Sequence, residues 1–247
     1  MTDREYEQLK VDAYNREPGE LGGADCPICH NKGRYMILTD DNEIRIRECR
    51  CMAQRRSLQY LERSGLSKVL DVYTWDRWEC RERWQEALKE RAMDYAKNPE
   101  GWMIISGRPG TGKTHICTAV CGDLLKAGYE VRYLLWRDFT TRAKAVINDS
   151  VAYSGMMGTY KTVPVLYLDD LFKTGGKTSE PTTGDCNLAF ELLNARYADP
   201  DKLTIISSEL NVDRILSIDE AVGSRIFERA KNHCMDLSDR QNWRLVH

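Results

Sequence analysis

Eight consecutive residues, Gly107-Arg108-Pro109-Gly110-Thr111-Gly112-Lys113-Thr114, carry the most specific chemistry in this chain. A glycine, four residues and then Gly-Lys-Thr form a phosphate-binding loop when a strand precedes them and a helix follows. Both are predicted here, the strand over 102–106 and the helix over 113–127, stopped by Gly128. Glycines let backbone N–H groups approach phosphate oxygens, and the helix N-terminus adds its positive end. Lys113 would reach the β and γ phosphates and Thr114 would ligate Mg²⁺. Pro109, Thr111 and His115 complete the residues expected around the nucleotide.

Such a loop leaves the metal and the attacking water to be managed. The apolar stretch Val165-Leu166-Tyr167-Leu168 predicts a strand that delivers Asp169 and Asp170 at its C-terminal end, with one strand and one helix between it and the loop. Asp169 would hold Mg²⁺, and Asp170 would orient or deprotonate water. A further strand, Leu203-Thr204-Ile205-Ile206, ends in Ser207, Ser208 and Glu209, polar groups placed to touch the water or γ-phosphate. Arg225 lies on an amphipathic helical pattern.

Four cysteines form a second centre. Cys26-Pro27-Ile28-Cys29 and Cys49-Arg50-Cys51 flank two short predicted strands, 34–38 and 43–47, joined at Asp40-Asp41-Asn42. Four thiolates meeting tetrahedrally suit Zn²⁺, and a segment this short gains from a metal the folding energy that its few apolar residues cannot supply. His30 is a competing ligand, and a redox dithiol is the alternative chemistry. Cys117 and Cys121, one helical turn apart, read as small buried hydrophobes. Cys80, Cys186 and Cys234 show no partner spacing, and no histidine reads as catalytic.

These sites need elements to hold them. The 247 residues, 42% hydrophobic and 30% charged with a net charge of −2, exclude a disordered, collagen-like or bulk-basic chain. No secretory leader and no apolar run near the 18 residues of a membrane span are visible, so the expectation is a cytoplasmic protein with reduced thiols. Residues 1–52 read as an N-terminal zinc-binding region that opens on a short acidic helix. A basic helical linker follows at 53–72, with Leu58, Leu61, Leu66 and Leu70 at rough helical spacing. From 73 to 247 strands and helices alternate: strands at 102–106, 131–135, 165–168 and 203–206, with helices near 138–148 and 186–197. This alternation predicts a mainly parallel sheet with helices on both faces.

Positive charge is local. Arg45, Arg47, Arg50, Arg55, Arg56 and Arg63 gather on the hairpin and linker, suited to a nucleic-acid backbone, an acidic protein surface or plain solvent. Trp136-Arg137, with Arg142 and Lys144 on the next helix, pairs charge with an aromatic face and is the candidate single-strand contact. Tyr73-Thr74-Trp75-Asp76-Arg77-Trp78 is placed either to stack on an adenine or to pack a domain boundary.

Taken together, the loop at 107–114, the Leu168-Asp169-Asp170 strand end, the Ile205-Ile206-Ser207-Ser208 strand and Gly223-Ser224-Arg225-Ile226 resemble the AAA+ ATPases of the DnaC-like helicase-loader family. The resemblance covers residues 73–247, and the two cysteine pairs resemble the zinc-binding N-terminal region of bacterial and phage loaders. It implies a five-stranded parallel core ordered 5-1-4-3-2, with Cys234-Met235-Asp236-Leu237 as the last strand. It also implies that ATP and Mg²⁺ bind at Lys113, Thr114 and Asp169, with Asp170 in place of the usual glutamate. Ser208 or Glu209 would be the first sensor, and Arg225 a finger that completes a neighbour's site on self-association. The expected partners are a replicative DNA helicase and single-stranded DNA, with no membrane. The chain ends soon after Trp243-Arg244-Leu245, leaving no room for a helical lid, and slow hydrolysis with a switch-like use of ATP would follow.

Competing readings share the loop. A transposition-accessory IstB-like ATPase would act on double-stranded DNA, and a nucleotide-gated adaptor would hardly hydrolyse. A small-molecule kinase would need a cationic lid, for which Lys173-Thr174-Gly175-Gly176-Lys177 is the available stretch.

Overall fold

Helix α1 (Asp3–Arg16) opens on a capping box in which Thr2 and Glu5 satisfy each other's backbone N–H groups. Strands β1 (Arg34–Leu38) and β2 (Ile44–Glu48) pair antiparallel with Leu38 opposite Ile44, closing the hairpin over residues 39–43. Asn15 clamps α1 to this hairpin by donating to the Met36 carbonyl and accepting from its N–H, both at 2.9 Å. Helix α2 (Cys51–Ser64) follows the last cysteine without a break. The computed structural model describes residues 1–23, 25–64, 70–174 and 180–245. The chain divides into two compact units, Met1–Gln59 and Tyr60–His247. Leu66, expected on the linker helix, and residues 175–177 of the suggested lid lie outside the described residues.

The second unit is built on a five-stranded sheet. Its strands are β3 (Trp102–Gly107), β4 (Val131–Leu135), β5 (Val165–Leu171), β6 (Leu203–Ser208) and β7 (Cys234–Leu237), ordered β4-β5-β6-β3-β7. Every pairing is parallel. Numbered within the core, this is the order 5-1-4-3-2. Strand residues alternate between two hydrophobic cores, as parallel strands covered on both faces require. Met103, Ile105, Tyr167 and Ile205 pack with helices α3 (Arg83–Lys97) and α4 (Lys113–Lys126) through Leu88, Tyr95, Ile116, Cys117 and Cys121. Trp102, Ile104, Leu166, Leu168 and Ile206 form the other face. They pack with α5 (Trp136–Val146), α6 (Ser150–Thr162), α7 (Thr183–Tyr197) and α9 (Glu220–Arg229). The short α8 (Val212–Ile218) precedes α9.

Several helices differ from expectation, α3 (Arg83–Lys97) and α8 (Val212–Ile218) among them. The helix expected near 138–148 begins at Trp136 and ends at Val146, and α6 at Ser150–Thr162 was not anticipated. Asp149 caps α6 by accepting from the N–H groups of Val151 and Ala152. The sequence of α6, rich in small residues, carries little amphipathic signal. No helix among the described residues is long and apolar enough to cross a membrane.

Candidate functional site

The phosphate-binding loop joins β3 to α4 at the C-terminal edge of the sheet, the place where open α/β sheets hold ligands. Gly112 caps α4 in the left-handed region at φ 92, so Lys113 and Thr114 are the first two helical residues. Gly110 has φ 78, and a Cβ there would strike the Asn242 side chain, as one on Gly112 would strike the Trp78 ring. Glycine is needed at both positions for backbone conformation and for space. Lys113 is buried, and its Nζ donates to the carbonyls of Gly107 at 2.7 Å and Arg108 at 2.9 Å. Two of its three hydrogens preorganise the loop. Burial lowers the Lys113 pKa, and Asp170 and Glu209 act against that shift, which places both carboxylates within its electrostatic reach.

Beside the loop lies a cavity of about 230 Å³, lined by Arg77, Trp78, Arg81, Gly112, His115 and Trp243 among others. His115 does not point at the loop's phosphate side. Its Nε2 is 2.8 Å from the Thr74 carbonyl, and its ring lies against Tyr73 and Trp78. The backbone N–H of Trp243 donates to the Gly110 carbonyl at 3.1 Å, and Arg81 stands 5.6 Å from the Trp243 ring centroid. Residues between Arg77 and Gln85, together with Trp243, therefore wall the cavity from the two ends of this unit. Trp243 has no sequence signal beyond being aromatic.

Strand β5 brings Asp169 and Asp170 to the same edge. Asp169 is buried and receives three hydroxyls: Tyr133 at 2.9 Å on Oδ2, Tyr167 at 2.8 Å on Oδ1, and Ser207 on Oδ1. Burial, with Asp169 as a further cause, raises the pKa of Tyr133, so that hydroxyl stays a donor. Ser207 also accepts from the Asp170 N–H at 2.9 Å, tying both acids to β6. Strand β6 lies between β5 and the loop strand β3, and Ser207 is its residue aimed at the pair. Ser208, expected as the sensor, is turned away. Its buried hydroxyl donates to the Leu171 carbonyl at 2.8 Å and accepts from the Leu210 N–H at 3.0 Å, because successive strand residues face opposite sides. Glu209 pairs instead with Lys173.

Arg225, on α9, is half-buried against α7. Its Nε donates to Asn194 at 3.0 Å and its Nη1 to the Ala221 carbonyl at 2.7 Å. The guanidinium lies over Phe190 at 4.8 Å and near Tyr197 at 5.4 Å. Among the expected nucleic-acid contacts, Arg137 and Arg142 are exposed, whereas Lys144 is committed to Asp185 at 2.9 Å. Trp136 offers no aromatic face. It is buried against Phe139 and Phe172, because it starts the apolar side of α5.

In the first unit, the Sγ atoms of Cys26, Cys29, Cys49 and Cys51 all lie within 4.8 Å of one another, and all four residues are buried. Cys26 and Cys49 are 3.6 Å apart, and Cys29 and Cys51 3.5 Å. Four sulfurs about 2.3 Å from a tetrahedral zinc would be about 3.8 Å apart, so the cluster suits that ion. His30 is exposed and outside it. Burial raises the pKa of Cys49 and Cys51. Burial also opposes ionisation of Cys26, but the backbone N–H groups of Cys29 and Ile28 outweigh it and lower that thiol.

The family described as IstB-like ATP binding protein matches residues 38–245 of this sequence. The chain belongs to that family. It is 28% identical to the phage-like element PBSX protein XkdC of Bacillus subtilis (strain 168), over 94% of this chain and 93% of that protein. It is 26% identical to the replicative helicase loader DnaC of Escherichia coli (strain K12) over 51% of each, so the match spans about half of that loader. The crystal structure of the DnaC helicase loader matches 69% of this chain and 98% of its own, with a TM-score of 0.57 at 20% identity. The crystal structure of DnaI matches 66% and 88%, with a TM-score of 0.53 at 18% identity. These structural likenesses establish the fold of this IstB-like member. The chemistry of its site rests on its own residues.

Proposed function

We propose that this protein binds and slowly hydrolyses ATP, and that it uses the nucleotide to control loading of a replicative DNA helicase onto single-stranded DNA. The observation that carries the ATPase reading is the convergence of Lys113, Asp170 and Ser207-bound Asp169 at one sheet edge. The unpaired first-turn N–H groups of α4 and the Lys113 ammonium cradle the β and γ phosphates. Thr114 and Asp169 would hold Mg²⁺, which when bound offsets charge on the transferring phosphoryl group. The three hydroxyls fix Asp169 for that duty. Asp170 orients the attacking water and receives its proton, and Ser207 is the first sensor. The nucleoside enters the cavity between Trp78, Arg81 and Trp243. Arg225 completes the site of a neighbouring subunit. The four-cysteine unit binds Zn²⁺ and contacts the helicase or another replication protein, while Arg137 and Arg142 contact the DNA backbone.

The test is ATP turnover by the full chain alone, with single-stranded DNA and with double-stranded DNA, using Asp170→Asn as the blank. Stimulation by single strands that disappears in the variant is the expected result. Stimulation by duplex alone would move the reading to a transposition-accessory ATPase. ATP binding without Asp170-dependent turnover would make the protein a nucleotide-gated adaptor.

A further inference from the structure

The strand end that carries Asp169 and Asp170 also brings a second lysine to the site. Lys173 Nζ lies 2.9 Å from Asp170 Oδ2 and 2.8 Å from Glu209 Oε1. One ammonium thus bridges the acid assigned to water and the carboxylate that follows β6. The backbone is shaped to make this bridge. Asp170 and Phe172 both adopt left-handed conformations, at φ 55 and φ 63, and the Lys173 N–H donates to the Asp170 carbonyl at 2.9 Å. A bulky residue in that region is strained. Phe172 is held there by burial of its ring edge-on to Trp136, 5.7 Å between centroids.

The two lysines of the site have different work. Lys113 is engaged by the carbonyls of its own loop. Lys173 is 42% exposed and makes its contacts with carboxylates. Burial works against the Lys173 ammonium, but its hydrogen bonds to Glu209 and Asp170 prevail and raise its pKa, so it stays charged. An ammonium on Oδ2 occupies the oxygen that would otherwise accept from water.

We propose that Lys173 is a brake on hydrolysis, holding Asp170 in an ion pair until the ammonium leaves that carboxylate and rests on Glu209 alone. The proposal rests on Asp170 being the water-activating residue. Glu209 acts through Lys173 and touches no reacting atom; it is a positioning residue.

The experiment measures kcat, KM and ATP affinity for the full chain with Lys173→Gln, Lys173→Arg, Glu209→Gln and the double variant Lys173→Gln/Glu209→Gln. For a partly exposed pair, Lys173→Gln should raise kcat about 1.5- to fivefold and change KM by less than about twofold. Lys173→Arg should keep the wild-type rate. Glu209→Gln should lower kcat, and the double variant should match Lys173→Gln, since Glu209 reaches Asp170 only through the Lys173 ammonium. Turnover that depends on Asp170 but is unchanged or lowered by Lys173→Gln overturns the brake alone. Loss of ATP binding in wild type, or turnover that survives Asp170→Asn, removes the reading beneath it as well.

Discussion

Replacing Ser207 and Ser208 separately with alanine divides the chemistry of the β6 end from its packing. Ser207 is fully buried, donates to Asp169 and accepts from the Asp170 N–H. A hydrogen bond to a charged group contributes about 1.5–3 kcal/mol, and an orphaned buried N–H costs about 1–3 kcal/mol. Tyr133 and Tyr167 remain on Asp169, so Ser207→Ala should destabilise by about 2–4 kcal/mol. Ser208→Ala unpairs the Leu171 carbonyl and the Leu210 N–H, both neutral, and should cost about 1–3 kcal/mol. Stability therefore separates the two variants poorly, while turnover should separate them well. Loss of a partner that orients a metal-holding group lowers activity by about 10- to 100-fold, and only Ser207 is such a partner. The assay is kcat for ATP below the unfolding midpoint of the weaker variant, with urea midpoints measured alongside. If Ser208→Ala lost turnover while Ser207→Ala kept it, the assignment of Ser207 would be refuted.

Lys113→Ala should abolish binding of a fluorescent ATP analogue, whereas Arg225→Ala should spare binding and remove hydrolysis. Mixing Arg225→Ala with Asp170→Asn should restore part of the turnover, because an intact Asp170 then meets an intact Arg225 across a subunit boundary; retained ATPase in Arg225→Ala alone would remove it from the site. The full chain should carry one zinc per molecule by elemental analysis, and Cys29→Ser should lose it. Chelation should abolish hydrogen-exchange protection of the 34–48 hairpin, since among the described residues of the first unit Val11 is the only buried apolar side chain apart from the four cysteines. Because Cys49 and Cys51 hold their protons through burial, metal affinity should fall as pH is lowered, measured by competition with a colorimetric chelator.

The contiguous loop at 107–114 and the hairpin between cysteine pairs were legible because each site's residues lie together in sequence. The choice between Ser207 and Ser208 was not. Every residue of β6 is buried, so no polar alternation in its sequence marks which face each residue takes. Trp136 beside Arg137 imitated a stacking platform, yet the periodicity that makes α5 amphipathic turns that ring inward. Arg196 gave no warning either. It is fully buried, donates to the carbonyls of Tyr160, Val163 and Leu203, and its pKa is lowered to about 9 by burial. Hydrogen bonding to backbone acceptors far apart in sequence leaves no local pattern to read.

The same limit explains the turn after β5. In a regular strand Asp169 and Asp170 would point to opposite faces of the sheet, and one acid would be lost to the loop. The β5–β6 register shifts between Leu168 and Leu171, and Asp170 enters the left-handed region at φ 55. Asp169 keeps the face it shares with Tyr167 and the α4 cysteine Cys117, while Asp170 comes within reach of Lys113 and Lys173. Aspartate tolerates that conformation better than most residues, and Phe172, which does not, is repaid by burial against Trp136. Two carboxylates, two lysines and a serine are thus brought to one point by a local violation of strand geometry. Violations of this kind accumulate where function requires them, and for that reason the sequence suggested Lys173 for a lid, while its pairing with Asp170 emerged only from the fold.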